Sequence, residues 1–266
     1  MTITDSDAFA QQWAEWHERH ENVRADPHGF LAITGLHWLS GEPQRFADAP
    51  GEWWTGTDGV RVRLADGEEL VVDREPVHGE HAFGVLLERG GVTVAFGDAV
   101  VEVARRGGSD VVRPRHPDNP VLAAYPGTPA YPADARWRVT GRYLPFDQPR
   151  PTTVGAVVEG LQHVYDAPGR IEFTLGGQPL SLTAFNGATA GSLFVLFTDE
   201  TSGVTTYAAN RSLKVDPPAA DGAVTLDFNR ATNLPCAYTV FATCPLPPAE
   251  NHLPVAVEAG EKKPIG

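Results

Sequence analysis

The sequence predicts a mainly β protein, an antiparallel β-barrel or sandwich, with an N-terminal amphipathic helix. Short apolar runs bounded by Gly, Pro or Asp recur along the chain, which is typical of strands joined by tight turns. The 27 glycines and 23 prolines make up about a fifth of the 266 residues, against roughly 12% in average usage, and this excludes a helical bundle. No repeat of fixed period is present, so we expect neither a propeller nor a solenoid.

The helix is predicted over residues 5–25. One face of it would carry apolar and aromatic residues at steps of three and four, namely Phe9, Trp13, Trp16, His20 and Val23. Asp5, Ser6 and Asp7 offer acceptors for the first amides of the helix. Asp26-Pro27 ends it, because proline disfavours helical geometry in the residue before it.

We expect a single domain over residues 1–266, with an N-terminal β unit at 30–113 and a C-terminal β unit at 137–256. Between them, residues 114–132 form a proline-rich loop, since frequent proline prevents both helix and central strand. Gly107-Gly108 and Gly176-Gly177 predict two hairpins. Arg89-Gly90-Gly91 predicts a third, between strands at 83–88 and 92–96.

Charge and composition exclude several classes of partner. The net charge of −13 would repel phosphate backbones and anionic lipid, so we expect no nucleic-acid and no membrane partner. Residues 1–10 contain no basic region and no apolar run, so no signal peptide is expected and the predicted location is cytoplasmic. There the two cysteines should be thiols. The composition leaves the oligomeric state open.

The sequence has no phosphate loop, nucleophile elbow or dinucleotide fingerprint. Any cofactor therefore stays unknown. His17-Glu18-Arg19-His20 spaces its histidines by three, one short of the zinc-protease pattern, and is interpreted as helix surface. His78-Gly79-Glu80-His81 is interpreted as a turn, although two imidazoles and a carboxylate could ligate a metal. We therefore predict no metal ligands.

Polar residues of the C-terminal third suggest a pocket. Strands predicted at 204–211 and 223–229 would place Tyr207 and Arg211 on one face of the first, and Asp227 and Asn229 on one face of the second. If these strands pair, the Arg211 guanidinium meets the Asp227 carboxylate across the ladder. On an exposed face this pair would be an ordinary surface contact, whereas inside a barrel it would indicate a functional site.

Residues 229–251 form the most distinctive segment, with two cysteines, three asparagines and several prolines. Cys236 or Cys244 could act as a nucleophile, with a histidine elsewhere as base. The alternative, which we favour, is that both are small buried hydrophobic residues, as unpaired cysteines usually are.

This segment also resembles a known family. The sequence resembles the C-terminal block of the bacterial family catalogued as domain of unknown function 1684 at residues 227–231, 235–239, 242–248 and Asn251. It resembles the other blocks of that family at residues 27–29, 35–39, 197–211 and 257–261. The resemblance covers nearly the whole chain and implies no activity. Leu234 stands where members usually have a first proline, and His116 where an acidic residue is common.

The leading functional hypothesis is a pocket for a small anionic molecule, with hydrolysis or isomerisation favoured over redox chemistry. Candidate catalytic residues are Asp227, Tyr207 and Cys236, candidate ligand-binding residues are Arg211, Asn229, Asn233 and His37, and residues 114–132 would form a lid. One alternative is a structural or interaction protein whose C-terminal motif is a folding clamp. The other is an enzyme that holds a metal through His37, His78 or His81.

Overall fold

A computed structural model describes residues 3–265 of the chain, and side chains from residue 7 onward. The predicted class is confirmed: 44% of the residues lie in strands and 14% in helices, the sheets are antiparallel, and one long helix begins the chain. The chain divides into two compact units. The large unit comprises residues 1–21, 126–238 and 244–266, and the small unit comprises residues 22–125 and 239–243.

Helix α1 (Ile3–Arg24) begins two residues earlier than predicted. Residues 5–7 therefore lie within the helix, and the side chains of Asp5 and Ser6 lie outside the described ones. Trp13 anchors the helix within the large unit, because its indole Nε1 donates to the carbonyl of Asn229 at 2.7 Å. The predicted stripe is wrong at Val23, which is 74% exposed, while Arg24 is buried in its place. The Arg24 guanidinium donates to the Tyr125 hydroxyl at 3.3 Å.

The small unit holds two antiparallel sheets. Their strands are β1 (His37–Trp38), β2 (Gln44–Arg45), β3 (Glu52–Gly56), β4 (Gly59–Arg63), β5 (Leu70–Val72), β6 (Glu75–Val77), β7 (Glu80–Gly84), β8 (Gly91–Phe96), β9 (Ala99–Arg106) and β10 (Ser109–Arg115), followed by the one-turn helix α2 (Pro120–Ala123). The strand orders are β1-β10-β9-β8-β5-β6 and β2-β3-β4-β7. The core of this unit forms around Trp53, which is fully buried.

One predicted hairpin of the small unit is confirmed and one is wrong. The β9–β10 hairpin turns at Gly107-Gly108, and both glycines have positive φ, which suits a two-residue turn. The hairpin expected around Arg89-Gly90-Gly91 does not form, since β7 pairs with β4, and β8 pairs with β9 and β5.

The large unit holds a seven-stranded sheet. Its strands are β11 (Arg138–Gly155), β12 (Gln162–Leu175), β13 (Gln178–Asn186), β14 (Leu193–Asp199), β15 (Arg211–Val215), β16 (Ala223–Asp227) and β17 (His252–Leu253). Six follow the order β15-β14-β13-β12-β11-β16, and β17 pairs in parallel with β14. Because β15 and β16 approach one another, the sheet curves into a half-barrel. Phe173, Phe197 and Phe228 pack together in its core.

The hairpin at Gly176-Gly177 is confirmed, but three other expectations for this sheet are wrong. Separate strands were expected at 137–144 and 153–158, but most of both runs lies in the single long strand β11, and the runs expected as strands at 161–166 and 170–175 lie almost entirely in β12. Pro149 of β11 has no ladder partner on β12, because the register shifts between Pro145 and Arg150. The strand expected at 204–211 is a series of turns, and the strand begins only at Arg211.

Within residues 3–265, no helix is both long and apolar enough to cross a bilayer.

Candidate functional site

A cleft of about 560 Å³ opens on the large unit, between helix α1 and the outer face of the sheet. Alternation along each strand produces this face: on β15, Lys214 points outward between buried Leu213 and Val215. On β16, Thr225 and Asp227 line the cleft, while Val224 and Leu226 are buried. Strand β11 contributes Arg138 and Thr140.

Helix α1 closes one side of the cleft with two stacked rings. Trp16 and His20 lie one turn apart on the helix, their ring centroids are 5.2 Å apart, and their planes differ by only 9°. The guanidinium of Arg230 lies over the Trp16 ring, with Cζ 5.4 Å from its centroid. This cation–π contact holds Arg230 at the cleft.

The cleft is rich in positive charge although the chain is strongly acidic. Its lining includes three basic side chains, Arg138, Lys214 and Arg230. The carboxylates of Asp216 and Asp227 and the imidazole of His20 also line it. Among the described residues, the side chains of Arg138 and Lys214 make no hydrogen bond or ion pair. In a chain of net charge −13, two cations without a protein partner at one cleft favour an anionic ligand.

Asp227 lies in this cleft, as expected of a site residue, but its predicted partner is wrong. Its ladder partner is Arg138 of β11, because β16 pairs with β11 and not with the segment that precedes it. The Oδ1 atom of Asp227 accepts the backbone N–H of Asn229 at 3.2 Å and its side-chain amide at 2.9 Å. Its Oδ2 atom is 3.5 Å from Nε of Arg230. Asp227 therefore both caps the turn after β16 and positions Arg230.

Arg211 points into the core of the large unit, away from Asp227. Its Nη2 lies 2.7 Å from Oδ2 of Asp199, and both side chains are completely buried. Its Nη atoms also donate to carbonyls of the C-terminal segment 257–261, at Val257 (3.0 Å) and Ala259. Burial lowers the pKa of Arg211, and the charge of Asp199 opposes that shift. Arg211 thus fastens the C-terminal segment to β14 and β15.

The C-terminal segment reaches the cleft through Glu261, which is 1% exposed. One carboxylate oxygen of Glu261 is 3.4 Å from Nε2 of His20, and the other accepts the backbone N–H of Asn233 at 2.6 Å. The side-chain amide of Asn233 donates to the Lys262 carbonyl at 2.8 Å. Asn233, a predicted ligand-binding residue, holds the carboxylate that contacts His20.

Asn229, another predicted ligand-binding residue, is 1% exposed. Its side chain bonds the backbone of Asp134 in both directions: Oδ1 accepts the Asp134 N–H at 2.9 Å, and Nδ2 donates to the Asp134 carbonyl at 3.0 Å. In the structure Asn229 therefore bonds to protein groups behind the cleft.

The structure brings Tyr207 and Cys236 together. The Tyr207 hydroxyl donates to the carbonyl of Cys236 at 2.8 Å, and the backbone N–H of Cys236 points at Sγ of Cys244 at 3.3 Å. Both residues lie outside the lining of the cleft.

His37 lies in the small unit. Its Nε2 is 2.8 Å from Oδ1 of Asp48, and Phe46 stacks on its ring at 4.0 Å. His78 faces Glu69 at 3.4 Å. In the described part of the chain, no three His, Cys, Asp or Glu side chains gather as a metal site.

The sequence interpretation missed five residues of the cleft region: Trp16, His20, Arg138, Lys214 and Arg230. Arg138 was within reach, because alternation along β11 also sets its side chain outward, whereas Lys214 lies beyond the strand expected at 204–211. The expected lid is wrong: the cleft is lined by residues outside the 114–132 loop.

A family model described as "Protein of unknown function (DUF1684)" matches residues 123–262. This match spans more than half of the chain. The chain belongs to this family. The DUF1684 region includes β11–β17, and with them every residue of the cleft except Trp16 and His20.

A solved structure is also similar: the solution NMR structure of the uncharacterized protein from gene locus rrnAC0354 of Haloarcula marismortui. It is 31% identical, with a TM-score of 0.45, and the match covers 53% of this chain and 78% of that one. A comparison with curated proteins finds no match.

Proposed function

We propose that the protein binds a small anionic molecule, a phosphate or carboxylate compound, in the cleft between helix α1 and the outer face of the sheet. The observation that carries this proposal is the convergence of Arg138, Lys214 and Arg230 on one cleft of about 560 Å³. A volume of this size suits a small ligand. Guanidinium groups bind phosphate and carboxylate oxygens in pairs, and the lysine adds a point charge.

Isothermal titration calorimetry with inorganic phosphate, inorganic pyrophosphate and citrate tests the proposal. We expect at least one of these anions to bind the full chain, and the double variant Arg138→Ala/Lys214→Ala to lose that binding. A matched control, Arg150→Ala/Arg170→Ala, removes two exposed positive charges from β11 and β12 outside the cleft. Equal loss in both variants, or no binding by the wild type, contradicts the proposal.

Catalysis on that molecule is a second candidate, favoured by the contact between His20 and Glu261. A buried carboxylate 3.4 Å from an imidazole at the cleft can hold the ring in one orientation and support the charge it gains on protonation. His20 would then move a proton to or from the bound anion, as hydrolysis or isomerisation requires. The test is turnover of p-nitrophenyl phosphate and p-nitrophenyl acetate, and His20→Gln should abolish it.

A structural role for the 229–251 segment is favoured by Asn251. This residue is fully buried, and its side chain bonds both backbone groups of Thr183 on β13, at 2.7 and 2.9 Å, and the Leu196 carbonyl on β14 at 2.8 Å. Asn251 therefore joins two strands whose own pairing is confined to residues 185–186 and 193–194. This role is compatible with a ligand in the cleft, because Asn251 lies outside the lining of the cleft.

A further inference from the structure

The two cysteines of the chain lie side by side within the large unit. The backbone N–H of Cys236 donates to Sγ of Cys244 at 3.3 Å. Since the amide nitrogen and the sulfur of Cys236 are joined through a single Cα and Cβ, this contact brings the Cys244 sulfur against Cys236 itself. Both residues are thiols.

Neighbouring groups hold both cysteines in place. The carbonyl of Cys236 accepts the Tyr207 hydroxyl at 2.8 Å, and the carbonyl of Cys244 accepts the N–H of Val157 at 3.0 Å. Pro245, next to Cys244, forms a β-bridge with Ala156. These backbone contacts hold the two residues beside each other in addition to the contact at the Cys244 sulfur, which favours a reaction between the two thiols over separate reactions with solvent.

The two thiols differ in access, and the more accessible one has a lowered pKa. Cys236 is half-buried, whereas Cys244 is 6% exposed. The hydrogen bond from the Cys244 thiol lowers the pKa of Cys236 and outweighs the effect of burial, which acts in the opposite direction. An accessible thiol with a lowered pKa beside a buried second thiol is the arrangement of cysteines that respond to oxidants.

We propose that Cys236 and Cys244 form a peroxide-sensitive oxidation site that closes to an intramolecular disulfide. In the first step the Cys236 thiolate attacks one oxygen of hydrogen peroxide, the O–O bond breaks, and the departing hydroxide takes a proton to leave as water. Cys236 is then a sulfenic acid. In the second step the Cys244 sulfur attacks the Cys236 sulfur, the S–O bond breaks, and the hydroxyl group leaves with the Cys244 proton as a second water. Two thiols are oxidised by two electrons, and one peroxide is reduced to two waters.

The composition makes this proposal easy to test, because the chain has only two cysteines and one methionine. The full-length protein is treated with equimolar hydrogen peroxide, its remaining thiols are alkylated, and intact and digested masses are recorded. We expect both thiols to disappear together, the intact mass to fall by two hydrogens, and dithiothreitol to restore both thiols. Met1 oxidation is separated in the digest.

Two variants distinguish the roles of Cys236 and Cys244 in the oxidation. In Cys244→Ser, Cys236 should stop at the sulfenic acid and become labelled by dimedone. In Cys236→Ser, the buried Cys244 should keep its thiol under the same treatment. Circular dichroism checks that each variant folds, and the wild-type mass measurement stands without them. Oxidation of one cysteine alone in the wild type, survival of both thiols, or a disulfide between two chains on a non-reducing gel would overturn the proposal.

Discussion

Arg211 and Asp199 form an ion pair with an Nη2–Oδ2 distance of 2.7 Å, and neither side chain has any exposed surface. Asp199 uses its other oxygen, Oδ1, to accept the N–H and hydroxyl of Thr201, at 2.8 and 2.6 Å. Together the two residues bond the end of β14, the turn after it and the C-terminal segment 257–261. The pair is thus a junction of three chain segments and has no opening toward a ligand.

Removing one partner of this pair should strongly destabilise the protein. We expect Arg211→Ala and Asp199→Asn each to lower the free energy of unfolding by about 3–5 kcal/mol, since a buried charge loses its partner. The double variant Arg211→Met/Asp199→Leu should lose less than the sum of the two. Urea unfolding followed by tryptophan fluorescence measures this, with Arg170→Gln as a surface control. If the Arg211→Ala protein folds with normal stability but has lost anion binding, Arg211 is a ligand-binding residue and this account is wrong.

Asp227→Asn separates binding from catalysis at the cleft. The amide keeps the oxygen that caps the turn after β16 and removes one negative charge beside the ligand. We therefore expect anion affinity to rise about 1.5- to 5-fold, the range for partly exposed charges. If Asp227 takes part in proton transfer, any turnover of the p-nitrophenyl substrates falls in the same variant. Calorimetry and the turnover assay measure the two effects separately, and weaker anion binding would contradict the expected charge effect.

Asn229 can be tested with one truncation, Asn229→Ala, and one nearly isosteric change, Asn229→Asp. Asn229→Ala leaves the backbone N–H of Asp134 without its acceptor, at a cost of about 1–3 kcal/mol. Asn229→Asp should cost more, because a carboxylate replaces the Nδ2 donor and then faces the Asp134 carbonyl and the Asp227 carboxylate. Unfolding in urea at pH 7 ranks the variants, and an aspartate variant as stable as the wild type would refute this account.

Glu102 gives the small unit a defined dependence on pH. It accepts from Arg113 at 2.6 Å and from Arg106 at 2.8 Å, and also contacts Arg115. Burial alone would raise the pKa of Glu102, but the charges of Arg113 and Arg115 outweigh it and hold that pKa below its ordinary value. The carboxylate therefore stabilises the fold above the pKa it has in the unfolded chain, and this contribution is lost as pH falls through the folded-state pKa.

Glu102→Gln should accordingly cost about 3–5 kcal/mol at pH 7, where it leaves buried guanidinium groups without their carboxylate. At acid pH the wild type protonates Glu102, so the two proteins should approach each other in stability. Unfolding curves at a series of pH values down to the acid transition measure the difference. A difference in the free energy of unfolding that stays constant across the pH series would contradict this account of Glu102.

The features of the fold that the sequence could predict are those set by residues close together along the chain. Gly176-Gly177 fixes a two-residue hairpin, and alternation places Asp227 outward and Leu226 inward on β16. The contacts of Arg211 were beyond this reasoning, because Asp199 and residues 257–261 are distant in sequence and no local pattern links them. The same holds for Glu261, whose contact with His20 depends on packing of helix α1. Of the predicted site residues only Asp227 lines the cleft, because the other members of the cleft are brought together by tertiary structure.

The division of the large unit along the chain affects when it can fold. Its helix is synthesised first, whereas residues 257–261, which bond Arg211 and carry the carboxylate facing His20, are synthesised more than two hundred residues later. Domains generally fold as units while the ribosome elongates the chain. The guanidinium of Arg211 therefore lacks its carbonyl partners until residues 257–261 have left the ribosome, so assembly of this unit cannot be completed before that point.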